Sequence, residues 1–198
     1  MKDKNTRRIA MTGIMAALLC IIAPLSIPLS GGVPISLGTF IIMLSAVVLG
    51  PWMGTEATVV YILVGMVGLP VFSGYQAGLS VLAGPTGGFI VGYIPLALFT
   101  GVFYRFLSKP RKAFLKYLFL TLGMVLGTAC CYALGTIWFV FAMKSTLTAA
   151  LTACVYPFLP LDALKIVIVD ILGPQLEKQV SKLLVKDLRK KKGITDAK

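Results

Sequence analysis

Between residues 8 and 105 the chain runs for 96 residues with one formal charge, Glu56. A soluble domain draws about a quarter of its residues from Asp, Glu, Lys and Arg, and no soluble fold could leave a stretch this apolar facing water. A helix needs about 20 apolar residues to cross the hydrocarbon core of a bilayer, so this stretch alone has room for four crossings. Across all 198 residues, 58% are hydrophobic and 13% charged. The membrane reading therefore extends to the whole chain.

The net charge is nevertheless +12. A nucleic-acid partner is one reading of such a surplus, but the placement of the charges argues for a bilayer instead. Lys2, Lys4, Arg7 and Arg8 precede the first apolar run, and Arg105, Lys109, Arg111, Lys112 and Lys116 separate two later ones. Lys178, Lys182, Lys186, Arg189, Lys190, Lys191, Lys192 and Lys198 close the chain. These clusters hold 17 of the 19 basic residues, each beside a membrane-length segment. Cytoplasmic flanks of membrane helices are enriched in Lys and Arg in this way. The basic start followed by an apolar run is the pattern of a signal peptide as well, but the context of Cys20 lacks the small residue of a lipoprotein cleavage site, which favours a retained first helix.

Gly and Pro divide the apolar sequence into six segments, at about 9–25, 35–49, 52–68, 84–106, 117–143 and 160–184. The second is short and ends at Gly50-Pro51. The third stops at Gly68 ahead of Pro70, and the fourth opens on Gly84-Pro85, with proline at a favourable first helical position. The sixth is expected to kink at Gly173-Pro174 and fray into a basic tail. The expected architecture is all-α: one domain over residues 1–198, six transmembrane helices, both termini cytoplasmic. With six crossings all 17 clustered basic residues fall on one side, leaving Lys144 in an outer loop and Lys165 inside the last span. The outer segments 26–34, 69–83 and 144–159 are rich in Gly, Pro and aromatics and nearly free of charge. Such loops either wall a pocket or pack over the bundle.

Several chemistries are excluded by what is missing. There is no histidine, and Cys20, Cys130, Cys131 and Cys154 show no C-x-x-C spacing, so a transition-metal site is not expected. Nor is there a P-loop, a G-x-S-x-G elbow or an H-E-x-x-H motif. Asp162 and Asp170 lie eight residues apart, about 80° around a helix, which is poor geometry for paired aspartyl catalysis. No enzymatic activity and no cofactor are expected.

The strongest polar feature is Asp162 with Lys165, three residues apart on one face of the last span. Ionisable side chains inside spans are rare and mark functional sites. The alternatives are an intrahelical ion pair at a helix start, where Asp suits the dipole, or an acceptor and a donor offered to a polar ligand. Asp170 sits where Pro174 displaces a backbone carbonyl, and Glu56 near the inner end of the third span can reach the interface. Gly84-Pro85-Thr86-Gly87-Gly88 lets backbone amides and Thr86 approach either a ligand or a neighbouring helix. In the first span, Gly13 with Ala17 and Ala16 with Cys20 form two small ridges that admit a partner helix.

Together these motifs resemble the BioY family, the biotin-specific substrate-binding subunits of energy-coupling factor transporters. Gly65-Met-Val-Gly-Leu-Pro-Val-Phe72 and Gly84-Pro-Thr-Gly-Gly88 are similar to that family's central signature. Pro157-Phe-Leu-Pro-Leu-Asp162-Ala-Leu-Lys165 is similar to its opening of the last helix. The resemblance implies six helices in a bacterial plasma membrane, with a biotin pocket near the outer face. It implies that Asp162 and Lys165 contact biotin together with Gln76. It also implies that the first helix (Gly13, Ala16, Ala17, Cys20) docks on a transmembrane coupling subunit served by two separate ATPase subunits. Biotin suits the residues chemically. Phe72, Tyr75 and Leu79 offer apolar walls for its rings, its ureido group offers donors for Asp162 and an acceptor for Lys165, and Thr86 or backbone amides can meet its carboxylate. The sequence does not fix which end of biotin points to Asp162. The rival readings are a carrier for another small ligand working alone and a structural or assembly protein of the membrane.

Overall fold

The computed structural model describes residues 2–28, 33–107 and 113–191. The basic residues Lys109, Arg111, Lys112, Lys192 and Lys198 therefore lie outside the described residues. Helix α1 spans Lys2–Ile22, α2 Gly38–Leu49 and α3 Pro51–Met66. A short α4 at Leu79–Ala83 precedes α5 at Gly87–Val102, which runs on into a π-helical turn at Phe103–Leu107. Helix α6 covers Ala113–Met143, α7 Leu147–Cys154 and α8 Leu159–Lys191. Among the described residues, three helical stretches, at Asn5–Ile22, Gly87–Arg105 and Phe114–Met143, are long and apolar enough to cross a bilayer by themselves. This is an all-α, multi-pass membrane protein.

Helix α2 is the axis of the bundle. Its sequence is apolar on every side, and ten of its twelve residues are buried, as expected of a helix enclosed by others and not facing lipid. It packs against α1, α3, α5 and α8. Large apolar side chains on the surrounding helices point outward instead, among them Ile9, Ile14 and Ile21 of α1 and Phe141 of α6. Water cannot be their environment, and lipid tails can.

The tightest seam joins α5 to α6. A Cβ added at Gly88 would stand 2.3 Å from the Trp138 side chain, and one at Gly92 would stand 2.9 Å from the Cys131 backbone. Gly123, Gly127 and Gly135 of α6 meet Phe103, Leu96 and Phe89 just as closely. Lipid tails are as apolar as leucine, so helices gain little by hiding apolar surface from them. Close backbone approach through small residues supplies the packing instead.

Residues 26–34, 69–83 and 144–159, expected as loops, contain structure of their own. Ser26–Ile27 (β1) and Ile35–Ser36 (β2) pair antiparallel, Ser73–Tyr75 makes a 3-10 turn, and α4 and α7 occupy the other two. Backbone bonds tie them down: Gly74 N–H donates to Pro24 O at 3.0 Å, and Gly78 N–H to Gly65 O at 2.8 Å. The Trp138 indole N–H donates to Gly84 O at 3.0 Å, fastening the turn before α5 to α6. Helix α8 continues through Pro174. There Gly173 faces α2, where a Cβ would come 2.9 Å from Val47.

Candidate functional site

Asp162 lies in the first turn of α8, and both it and Lys165 are buried. Lys165 Nζ donates to Asp162 Oδ1 at 2.8 Å, to Ser36 O at 2.7 Å and to Thr39 Oγ1 at 3.0 Å. An ammonium has three donors, so all of them are used. Asp162 Oδ2 accepts from the Tyr132 hydroxyl at 2.5 Å. Ser36 is itself held, donating from Oγ to Ala23 O at 2.7 Å and accepting from Gly38 N–H at 2.9 Å. The network thus knots α8 to α6 and to the β2–α2 junction. Tyr132, Thr39 and Ser36 are partners that the sequence reading did not name. A hydroxyl such as that of Tyr132 inside an apolar span is the available signal, since a phenol in hydrocarbon needs an acceptor.

Two clefts open at the same end of the bundle. The deeper one, about 20 Å³ and lined by Phe72, Gln76, Val81, Thr86, Phe89 and Tyr93 among others, has room for about one water molecule. Its wall includes Val33 and Pro34, immediately before the strand that carries Ser36. The shallower one holds about 370 Å³ between α4 and the turn before α5, a volume at the low end for small-molecule pockets. Gln76, Val81 and Thr86 line both and form the partition between them.

The structure distributes the expected ligand residues unevenly. Phe72 is buried against Tyr61, ring edge to face at 5.8 Å, and Gly65 leaves it that space, since a Cβ there would lie 2.2 Å from the ring. Gln76 is held through its backbone, whose carbonyl accepts from Phe72 N–H at 3.0 Å. The Thr86 hydroxyl turns back to Val81 O at 3.4 Å. Tyr75 and Leu79 are 63% and 62% exposed and line neither cleft. Alternate residues around a turn and a helix start face opposite ways, which spacing alone could not reveal. Tyr61 and Tyr93 occupy the wall instead.

The two small ridges of α1 also separate. Gly13 and Ala17 are exposed, with nothing within 4 Å of a Cβ at Gly13. Ala16 is buried in the chain's own bundle and Cys20 is half-buried. Only the Gly13–Ala17 ridge is open to a partner, because the other, three residues further along, lies on the side of α1 that packs into the bundle of α2 and α3. Glu56 and Asp170, two other acids of the spans, have partners on neighbouring helices. Arg8 pairs with Glu56 across α1 and α3, and the Thr121 hydroxyl donates to Asp170 Oδ2 at 2.7 Å. No cluster of potential metal ligands occurs among the described residues.

Known proteins are similar to this chain in sequence and in fold. A biotin transporter BioY of Thermotoga maritima is 37% identical over 87% of this chain and 96% of its own length. One from Rhodobacter capsulatus is 34% identical over 84% of this chain and 91% of its own. The crystal structure of the S-component for biotin from an ECF-type ABC transporter superposes with a TM-score of 0.81 at 25% identity, covering 90% of this chain and 94% of that one. The match to the BioY family itself runs over residues 1–182. It takes in the α1 ridges, both clefts and the Asp162–Lys165 network, and on that extent the chain belongs to the BioY family.

Proposed function

We propose that this chain is the biotin-binding subunit of an energy-coupling factor type importer in the cell membrane, and not an enzyme. The observation that carries the reading is the likeness, over 90% of the chain, to an S-component for biotin, with a cleft of suitable chemistry at one end. The biotin rings enter past Gln76 and Thr86 toward the aromatic wall of Phe72, Tyr61 and Tyr93. A cleft of about 20 Å³ is too small for them, so binding moves the 69–83 segment outward. Asp162 and Lys165 line neither cleft, so the ureido group meets them only after this movement. Since every Lys165 donor is already used, the ligand oxygen replaces an internal acceptor, Ser36 O or Thr39 Oγ1, and an exchange of bonds costs less than making a buried charge bare.

On this reading six crossings place both termini and the basic 106–116 segment in the cytoplasm, and the clefts face outward. ATP hydrolysis belongs to two separate ATPase subunits acting through a coupling membrane subunit, against which the Gly13–Ala17 ridge packs. Small residues permit that approach, and a bulky one blocks it.

Titration of the purified protein with biotin, alongside mass spectrometry of what co-purifies with it, tests the assignment. Saturable binding of biotin, and not of other vitamins, is expected. Retention of a different small molecule would sink the biotin reading, and retention of none together with no binding would favour an assembly role. Ala17→Leu should leave biotin binding intact and weaken pull-down of the coupling subunits. Ala16→Leu disturbs the chain's own core and is the wrong probe.

A further inference from the structure

We propose that the end of the bundle carrying the amino terminus holds a binding site for the phosphate headgroup of an anionic phospholipid, between Arg8 and Arg105 over the Gly50-Pro51 turn. This inference does not depend on what the opposite end binds. The two arginines, with Leu49, Gly50, Pro51 and Trp52, line a cavity of about 230 Å³. Arg105 comes from the π-helical turn after α5 and lies directly on the turn between α2 and α3. A Cβ at Gly50 would stand 3.0 Å from a terminal guanidinium nitrogen and 3.2 Å from Cδ. Gly50 has a φ of 87°, a left-handed conformation that disfavours side chains. The same glycine therefore shapes the turn and gives Arg105 its bed.

Charge accounting shows why an anion is wanted there. Arg8 is matched by Glu56, and Glu177 by Lys116 at 3.5 Å and the Tyr104 hydroxyl at 2.8 Å. Among the described residues Arg105 has no carboxylate in ion-pair range. Helix α3 begins at this turn without a side-chain cap or an acidic residue in its first turn, so its dipole adds to the positive field. A guanidinium binds a phosphate through two parallel donors.

The surroundings select a lipid over a free anion. Trp52, on the rim, is 64% exposed, in the amphipathic setting that indoles favour at a membrane interface. Leu49, Pro51 and Met53 make the rest of the wall apolar. A second cavity of about 190 Å³ shares Leu49, Met53 and Arg105 with the first; Met11, Val48 and Val180 give it an apolar wall, while Ser181 and Glu177, the latter already held by Lys116 and Tyr104, line the rest. Basic pockets between membrane helices are a recognised mode of headgroup binding.

The test uses the full-length protein in non-ionic detergent, presented with phosphatidylglycerol or phosphatidylcholine of identical acyl chains, with bound lipid measured by native mass spectrometry. Phosphatidylglycerol should bind about fivefold more tightly, because both lipids offer a phosphate to Arg105 but in phosphatidylcholine the choline cation cancels its charge. Arg105→Gln should abolish the preference and Arg105→Lys should retain part of it. Lys178→Gln, which removes the same charge from the exposed face of α8, should leave it unchanged. Equal binding of the two lipids by the wild-type protein overturns the proposal without any variant, and so does an equal effect of Arg105→Gln and Lys178→Gln. Displacement of phosphatidylglycerol by equimolar inorganic phosphate would make the site one for a free anion. Loss of pull-down of membrane partners by Arg105→Gln, with lipid preference intact, would assign Arg105 to a protein contact.

Discussion

At one end of the bundle Asp162 and Lys165 stand 2.8 Å apart with side chains 7% and 9% exposed; at the other, Arg8 and Glu56 pair with side chains 51% and 43% exposed. Both pairs join a cation to a carboxylate, yet their surroundings make them different objects. The first is out of reach of water, so each partner is the other's solvation, completed by Tyr132, Thr39 and Ser36. The second pair can exchange its contact for water at little cost. A pair of the first kind can hold a ligand's polar head with directional bonds. One of the second kind tunes a surface that meets headgroups and partners. The comparison teaches that the surroundings of a charged pair, and not the density of charges in the sequence around it, set how tightly the pair is held. Among the described residues, Arg8 and Glu56 keep water within reach at one end, while at the other Lys144 is exposed and Asp162 and Lys165 alone are shut away.

The largest effect should come from breaking the buried pair on one side. Lys165→Met leaves Asp162 a buried carboxylate with hydroxyl partners but no counter-charge and should cost about 3–5 kcal/mol of stability, read from denaturant or thermal unfolding in detergent. A loss below about 1 kcal/mol, the range for exposed pairs, would break the comparison outright. The double variant Asp162→Asn with Lys165→Met should recover much of the stability while binding biotin at least about tenfold more weakly. Near-native affinity in the folded double variant would make these two residues scaffold, and would move the ligand contacts to Gln76 and Thr86.

Tyr132→Phe removes one bond to the buried carboxylate and nothing else of size. It should cost about 1.5–3 kcal/mol, and biotin should bind less tightly, because the Asp162 carboxylate loses its anchor on α6. An unchanged melting temperature would show that water replaces the hydroxyl, and the network would no longer count as sealed. Gly65→Ala tests the packing beside the network instead of its charges. The new methyl would meet the Phe72 ring, so a loss of about 1–3 kcal/mol is expected from overpacking, with weaker biotin binding as the aromatic wall shifts. Glu56→Gln stands at the far end of the scale. Arg8 and Glu56 are both about half exposed, and the change should move stability by about 1 kcal/mol or less. A larger loss would mean that this pair, too, is shut away from water by lipid or a partner.

Much of this was legible in the residues. One charge in 96 residues sufficed for a membrane protein, and the motifs around Phe72, Thr86 and Asp162 sufficed for the family. Legibility failed where two residues meet from distant parts of the chain. Nothing near Asp162 announces Tyr132 from α6 or Ser36 and Thr39 from the β2–α2 junction. It failed again where adjacent faces of one element diverge. Tyr75 and Leu79 looked like pocket walls beside Phe72 but face outward, and Ala16 looked like a companion of Ala17 but points into the core.

What the sequence determined by itself is what depends on composition along the chain. Partitioning into lipid is a sum over some 20 consecutive residues, and the side on which the ends are expected to lie follows from counting Lys and Arg. Both are properties of stretches, indifferent to which side chain touches which. Tertiary structure alone decided which of two small ridges stays open, which aromatics wall the cleft, and that all three Lys165 donors are taken. Those outcomes turn on hydrogen bonds of about 3 Å and helix faces about 100° apart per residue. Distances and angles of that size are set only once α2 is enclosed and α6 and α8 are packed beside it.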